Sequence, residues 1–465
     1  MQPYFTNDAI VFGLLMLLLA GIFHTSSSES PRWKKFYTII PSLLLCYFLP
    51  ALLNYPFGLI APEFFVDDAL LGFIAERKID ISLVELHSMS FEQIKVFLEG
   101  VGVSSADYQP FIQKSQLYFV ASRYLLPASL ILLCLSIDFK GIKNLGPKAL
   151  IMFFAATTGI ILGGPIALFV TSYLFPNLVS VTPEELWRGL STVAGSWIGG
   201  GANQTAMKEI FEVGDNLFAT MIIVDVVVAN IWMGFLLYGA NVSDKIDGYL
   251  KADNSAIEEL KQSISDYRAS VEKMPTSSTM FALIGIAFGG VALAHWGADV
   301  IVPFMRGFKQ TLMDLHLDSL MSGFFWLIVI STTFGLILSL TKARKLEGVG
   351  ASRMGSVFIY ILVATIGMKM NLGEVWANIG LFAIGITWML VHVIILLLTA
   401  KIIKAPFFFV AVGSQANVGG AASAPIVASA FSPSLAPVGV LMAVLGYALG
   451  TYGAIICAML MQACT

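Results

Sequence analysis

Charge is scarce in this chain. Only 12% of its 465 residues are Asp, Glu, Lys or Arg, against roughly 25% in soluble domains, which excludes a water-solvated surface over its whole length. Cysteine is sparse too. Cys46, Cys134, Cys457 and Cys464 have neither metal-ligand nor paired-bridge spacing and read as small hydrophobes. No Lys or Arg stands within Met1 to Asp8 ahead of the first apolar run, so the first helix reads as a permanent span rather than a cleaved signal peptide. With a net charge of −3 and no basic stripe, a nucleic acid partner is not expected. No His, Cys and carboxylate cluster has the spacing of a tightly held metal, and no cofactor is expected. Gly195-Ser196 lacks the nucleophile-elbow pattern and no His and acid are placed to complete a triad, so no enzyme is expected.

What the chain has is apolar length. Of its residues 57% are hydrophobic and the mean hydropathy is +0.81. Runs able to cross about 30 Å of hydrocarbon fall at 8–23, 36–55, 117–137, 148–173, 215–240, 280–298, 320–340, 353–370, 377–400 and 436–461. The reading is an all-α polytopic membrane protein of about ten spanning helices. Residues 1–55 are N-terminal scaffold helices, and 56–115 form a polar insertion with nine acidic and four basic residues. The first repeat core is 116–240. A charged connector spans 241–279, where Ala256 to Lys261 suggest an amphipathic helix. Scaffold helices follow at 280–340, and the second core is 341–465.

Loop charge sets the orientation. Arg32, Lys34 and Lys35, then Lys140, Lys143 and Lys148, then Lys342 to Lys345 mark cytoplasmic loops. The acidic insertion and both termini then lie outside a bacterial cytoplasmic (inner) membrane.

Two Gly-rich tracts interrupt this pattern. Gly195 to Thr205 reads GSWIGGGANQT, and 218 positions later Gly413 to Ser423 reads GSQANVGGAAS. Unwound backbone is tolerated in lipid only where protein or a water-filled cavity satisfies it, and matched interruptions point to a transporter's central site. Close helix packing is the alternative reading of such glycines. The charge count agrees only if 182–213 is a re-entrant hairpin entering from outside and 406–430 one entering from the cytoplasm. Leu135 to Phe139 and Gly367 to Leu372 end corresponding spans; five crossings separate the copies, so the two repeats are inverted.

The candidate solute-binding residues are Ser196, Gly199, Gly200, Gly201, Asn203, Gln204 and Thr205 of hairpin one, with Ser414, Gln415, Asn417, Gly419, Gly420 and Ser423 of hairpin two. Thr182-Pro183-Glu184-Glu185 is a strong helix start, and the helix beginning near Asn203 turns backbone N–H groups toward the tip, which favours anions. Pro425 suits the first turn of the rising helix of hairpin two. Freed carbonyls offer oxygen to Na⁺. Asp225 lies mid-span and is by default functional, as ion-coupling carboxylate or as a cap on a neighbouring hairpin. Asn230, the other candidate ion-coupling residue, points about 140° away at helical pitch. His392 reads as a neutral packing histidine, and Lys369 as a snorkelling lysine.

Several stretches together resemble the membrane family catalogued as domain of unknown function 819. They are Tyr124 to Pro127 through Ser136 to Phe139, Leu145 to Lys148, Gly195 to Thr205, Asp225 to Trp232, Ala416 to Gly420 and Leu445 to Tyr452. More distantly, the layout is similar to sodium/glutamate and citrate symporters of the sodium symporter and antiporter superfold. That resemblance implies a homodimer in the lipid bilayer, each protomer with a scaffold and a moving unit. The expected function is secondary active transport, of elevator or rocking type, of a small solute, an anion being favoured, coupled to Na⁺ or H⁺. Cation/proton antiport and a channel-like pore are the alternatives.

Overall fold

The structure, a computed structural model, describes residues 2–40, 42–77, 79, 81, 86, 89, 91–137, 145–174, 181–252, 275–314, 318–369, 380–432 and 435–464. Asp138, Phe139, Lys140 and Lys143, the Ala256 to Lys261 segment and Met370 to Leu372 lie outside the described residues. The helices of eight residues or more are α1 Asp8–Ser26, α2 Pro31–Ile39, α3 Ser42–Asn54, α4 Asp67–Glu76, α5 Phe91–Gly100, α6 Leu126–Leu135, α7 Pro147–Leu174, α8 Pro183–Gly199, α9 Gly201–Ile210, α10 Asp215–Asn241, α11 Ser243–Leu250, α12 Ser277–Arg306, α13 Gly323–Ser339, α14 Ala351–Gly367, α15 Gly380–Ile403, α16 Phe407–Val418, α17 Gly420–Phe431 and α18 Ala436–Gln462.

Among the described residues, six helical stretches are long and apolar enough to span a membrane: Asp8–Ser26, Leu117–Leu135, Pro147–Leu174, Asp215–Asn241, Ser277–Arg306 and Gly380–Ile403. Two bent pairs raise the number to eight. The ten runs read from hydropathy differ because an apolar run is not always one helix. The run at 36–55 is divided between α2 and α3. At 320–340, α13 ends at Ser339 and the chain turns 96° into the 3₁₀ segment Lys342–Val349, where the Thr341 hydroxyl caps the Ala343 N–H at 3.1 Å. α14 has 17 residues, about 25 Å at helical rise, and falls short by length alone.

The chain divides into two compact units, Met1–Ala121 with Tyr360–Leu372, and Ser122–Ile359 with Gly373–Thr465. In the first, Asn7 caps α1 through the Ala9 N–H at 2.8 Å. The insertion is not simply a polar loop. Strand β1 Glu63–Phe65 pairs antiparallel with β2 Ile112–Lys114, Phe64 opposite Gln113, one short ribbon in an otherwise helical chain. Phe65, Leu70, Ile74, Ile94, Leu98, Val103 and Tyr108 form a core of their own beneath it. Apolar residues at one-turn spacing in α4 (Leu70, Ile74) and α5 (Ile94, Leu98) create this face, and Tyr108 donates to Glu99 at 2.7 Å. Lys369 does not reach outward alone: its ammonium sits 4.1 Å from the Tyr118 ring centroid, a cation–π contact.

In the second unit, α7 packs against α15, and α8 and α17 pack against α18. Glycines set the approach. On α7, a Cβ at Gly159 would lie 3.2 Å from His392, and one at Gly163 only 2.6 Å from Trp388. The two bulky side chains of α15 therefore fill notches one turn apart on α7. The indole of Trp388 donates to the Ile160 carbonyl at 2.8 Å. Cys46, Cys134 and Cys457 are buried free thiols and Cys464 is exposed.

Candidate functional site

Each Gly-rich tract reverses the chain. In hairpin one, α8 begins under the Thr182 cap, whose hydroxyl oxygen accepts the Glu185 N–H at 3.3 Å, with Pro183 at its first position. It ends at Gly200, where φ +79° and ψ −173° belong to a region open essentially to glycine alone. α9 runs back along α8. At the base Arg188 donates to the Phe211 carbonyl at 3.0 Å, and Trp187 meets Phe211 edge-on at 5.3 Å. Near the tip a Cβ at Gly195 would lie 2.6 Å from the Asn203 carbonyl, so glycine lets the two arms touch.

Hairpin two has the same plan. Phe408 meets Phe431 edge-on at 5.3 Å at its base, and Gln415 donates across the tip to Ser423 at 2.8 Å. The break lies between Gly419 and Gly420, φ +59° at the latter. Pro425 does not occupy the first turn as expected: α17 starts already at Gly420, leaving Pro425 inside it.

Both tips abut one glycine. A Cβ at Gly446 on α18 would be 2.6 Å from the Ile198 carbonyl and 3.5 Å from the Ala416 carbonyl. Where α18 carries Gly446 and Gly450, backbone meets backbone, and the helix bends by 51° between Leu441–Tyr447 and Leu449–Gln462.

An asparagine then locks each hairpin onto a neighbouring helix. Asn203 donates to the Gly199 carbonyl at 3.1 Å and to the Tyr447 carbonyl at 3.4 Å, and accepts from Thr451 at 2.6 Å. Asn417 donates to the Gly413 carbonyl at 3.0 Å and to the Phe153 carbonyl at 3.3 Å, and accepts from Thr157 at 2.8 Å. In both, the threonine lies four residues beyond the accepting carbonyl, one turn on. Burying an amide stabilises a structure only when its hydrogen bonds are made, and both asparagines, with no exposure, meet that condition by the same arrangement.

Asp225 on α10 is held entirely by hairpin one. Ser196 donates to it at 2.6 Å, the Trp197 indole at 2.7 Å and Gln204 at 3.0 Å. Trp232, seven residues and two turns further along α10, donates to Ser414 of hairpin two at 2.8 Å. One helix thus addresses the serine of each Gly-Ser tract. Ser414 is also 2.8 Å from His392 Nε2, while Nδ1 lies 3.1 Å from the Ala156 carbonyl.

Of the sequence candidates, Ser196, Gln204 and Asp225 are brought together, and Gln415 meets Ser423. The Gln415 Oε1 is buried and has no hydrogen-bond partner among the described residues. Gly199 and Gly419 are packed tightly against Asn203 and Gln415 respectively, whereas Gly200 and Gly420 face open space within 4 Å of an added Cβ. Gly201 opens α9. Thr205 turns its hydroxyl back to the Gly201 and Ala202 carbonyls of its own helix. Asn230 donates to the Val226 carbonyl of its own helix at 2.7 Å and lies on another face of α10 from Asp225, as its spacing predicts. Thr157, Thr451, Trp197, Trp232, Trp388 and His392 complete the arrangement. A threonine or tryptophan within a hydrophobic span has no periodic signal; only the indole and hydroxyl donors, which need partners when buried, hinted at them.

These features define a polytopic helical membrane protein with two glycine-broken hairpins meeting on a bent helix. The chain belongs to the family described as protein of unknown function (DUF819), whose model matches residues 100–464. It is similar to the uncharacterized membrane protein YjcL of Bacillus subtilis (strain 168), 22% identical over 344 residues, 73% of this chain and 82% of that protein. The family match begins at residue 100 and so leaves out α1 to α4, all of α5 but Gly100, and most of the insertion.

Proposed function

We propose that the protein is a secondary active transporter that moves a small anionic solute, coupled to Na⁺ or H⁺. The observation that carries the reading is the convergence of two broken hairpins on Gly446, with amides and hydroxyls at both tips and a buried carboxylate behind one of them. Helix N-termini at Gly201 and Gly420 orient N–H groups toward the tips, where an anion is favoured. Asp225 is the coupling group, and the Gln415 carbonyl oxygen is a further acceptor for a cation or a donor on the solute. Rocking or sliding of the hairpins against the remaining helices supplies alternating access, within a homodimer and with inverted repeats.

Two experiments test this. With the four native cysteines replaced, a membrane-impermeant thiol reagent applied outside is expected to label a cysteine at Val181 and spare one at Lys404; equal labelling would remove the opposed-hairpin topology. Purified protein screened against small carboxylates with and without Na⁺ is expected to gain thermal stability with one class only, because a ligand at 100 times its Kd contributes about 2.7 kcal/mol. That gain should require Na⁺ or shift with pH, and Asp225→Asn should abolish the dependence while leaving the fold. A cation dependence unchanged in Asp225→Asn would assign coupling elsewhere.

A further inference from the structure

His392 is fully buried and sits in a chain of hydrogen bonds whose direction is fixed by chemistry. The Ala156 carbonyl can only accept, so the Nδ1 atom 3.1 Å away carries the hydrogen. A neutral imidazole then leaves Nε2 as an acceptor. Ser414 Oγ, 2.8 Å from Nε2, must donate its hydroxyl hydrogen there, and its lone pair receives the Trp232 indole N–H at 2.8 Å. The order is Trp232 to Ser414 to His392 to Ala156, every group satisfied and no charge present.

Among the described residues, no charged group bonds to the ring. α7 presents the Ala156 carbonyl and Gly159, α16 presents Ser414, and α10 presents Trp232 behind that hydroxyl. Among the described residues, these helices with α15 and α18 carry as titratable groups Lys148 and Tyr173 of α7, Asp215, Asp225 and Tyr238 of α10, Lys401 of α15, and Tyr447, Tyr452 and Cys457 of α18. The His392 ring bonds to none of them, the Cys457 thiol lies 3.8 Å from the Ile160 carbonyl, and Asp225 is occupied by hairpin one. A proton added to Nε2 with hairpin two docked would put an uncompensated cation in an enclosed site, which is costly, and would force Ser414 to find another acceptor.

We propose that His392 is a proton-binding site that reads the docking of hairpin two: Nε2 takes a proton from solvent only when the Ser414 hydroxyl withdraws. Proton binding and docking of Ser414 exclude each other, so acid favours release of hairpin two. This deepens the transporter reading by making H⁺ the ion sensed at hairpin two, and its role in coupling rests on that reading; the site itself does not.

The test uses full-length protein in detergent. ¹⁵N spectra of histidine-labelled protein, with His392 assigned by its loss in His392→Gln, are expected to show the neutral Nδ1–H tautomer at pH 7.5. Separately, Ala416→Cys, a tip position only 1% exposed, and Lys404→Cys, at an exposed position, are placed singly in a background without native cysteines. The ratio of their labelling rates, which cancels the reagent's own pH dependence, is expected to rise as pH falls from about 7.5 to 5.5, by at most about tenfold per pH unit for one linked proton. His392→Gln keeps a donor and an acceptor but cannot gain a proton, and should hold the ratio flat. An Nε2–H tautomer at pH 7.5, or a flat ratio in the parent, overturns the proposal. Neither readout needs a solute or a gradient, so a failure of transport would leave them standing, and their failure would leave transport untouched.

Discussion

Asp225→Ala is expected to unlatch hairpin one from α10. The substitution leaves the Trp197 indole N–H and the Gln204 amide as buried donors facing a methyl group, and removes the acceptor of Ser196. Each buried donor without a partner costs about 1–3 kcal/mol. Two such groups give about 2–6 kcal/mol on the same basis, a large part of the stability of most proteins. Thermal unfolding in detergent should register the loss, and hydrogen exchange should locate it in 183–210. Asp225→Asn should be far milder, because its oxygen still accepts from Trp197, its amide can donate to a reoriented Ser196, and the Gln204 amide can turn over. Similar destabilisation by both substitutions would show that the negative charge itself, rather than the hydrogen bonds, holds the hairpin.

A comparably large effect is expected of Gly199→Ala. The new methyl would lie 2.6 Å from the Gly446 carbonyl oxygen and 2.6 Å from the Gly450 Cα, both backbone atoms. Neither can retreat without breaking the Asn203 bonds to Tyr447 and Thr451. Overpacking of this kind costs about 1–3 kcal/mol, occasionally more, and here it also pushes the hairpin tip off α18. Gly200→Ala separates the causes. Space there is open, and the penalty comes from φ +79°, ψ −173° alone, about 1–3 kcal/mol. Gly13→Ala, with no atom within 4 Å of an added Cβ in α1, is the control and should be neutral or slightly stabilising. If Gly199→Ala unfolds at the parent temperature, the tip does not rest on α18 backbone.

The chain's own sequence determined its solvent and its punctuation. Long apolar runs can be satisfied only as helices in lipid, and that logic holds for α7, α10, α12 and α15. Thr182-Pro183 starts a helix by local backbone chemistry, as read; the break is narrower than the Gly-rich tract, since α8 runs to Gly199 and α9 begins at Gly201 rather than near Asn203. Asp225 stood out because a carboxylate amid Val and Ile demands a reason. What it bonds was beyond reach: Ser196, Trp197 and Gln204 lie 29, 28 and 21 residues away, and no periodicity links them.

Only tertiary structure decided which polar groups answer one another. Asn203 and Asn417 stand among the candidate solute-binding residues, and each accepts from a threonine, 248 and 260 residues distant in sequence. Asn230, next to the carboxylate in sequence terms, closes on its own helix, since a bond to the fourth preceding carbonyl is always within reach. The core beneath the insertion was hidden by its surface charge, because a net-acidic segment can still turn one apolar stripe inward. Hydropathy is a sum over neighbours along the chain and so finds spans. Hydrogen-bond partners are set by which faces helices present after packing, and that depends on glycine notches at Gly159, Gly163, Gly446 and Gly450, whose occupants, Trp388 and His392 among them, come from elsewhere in the chain.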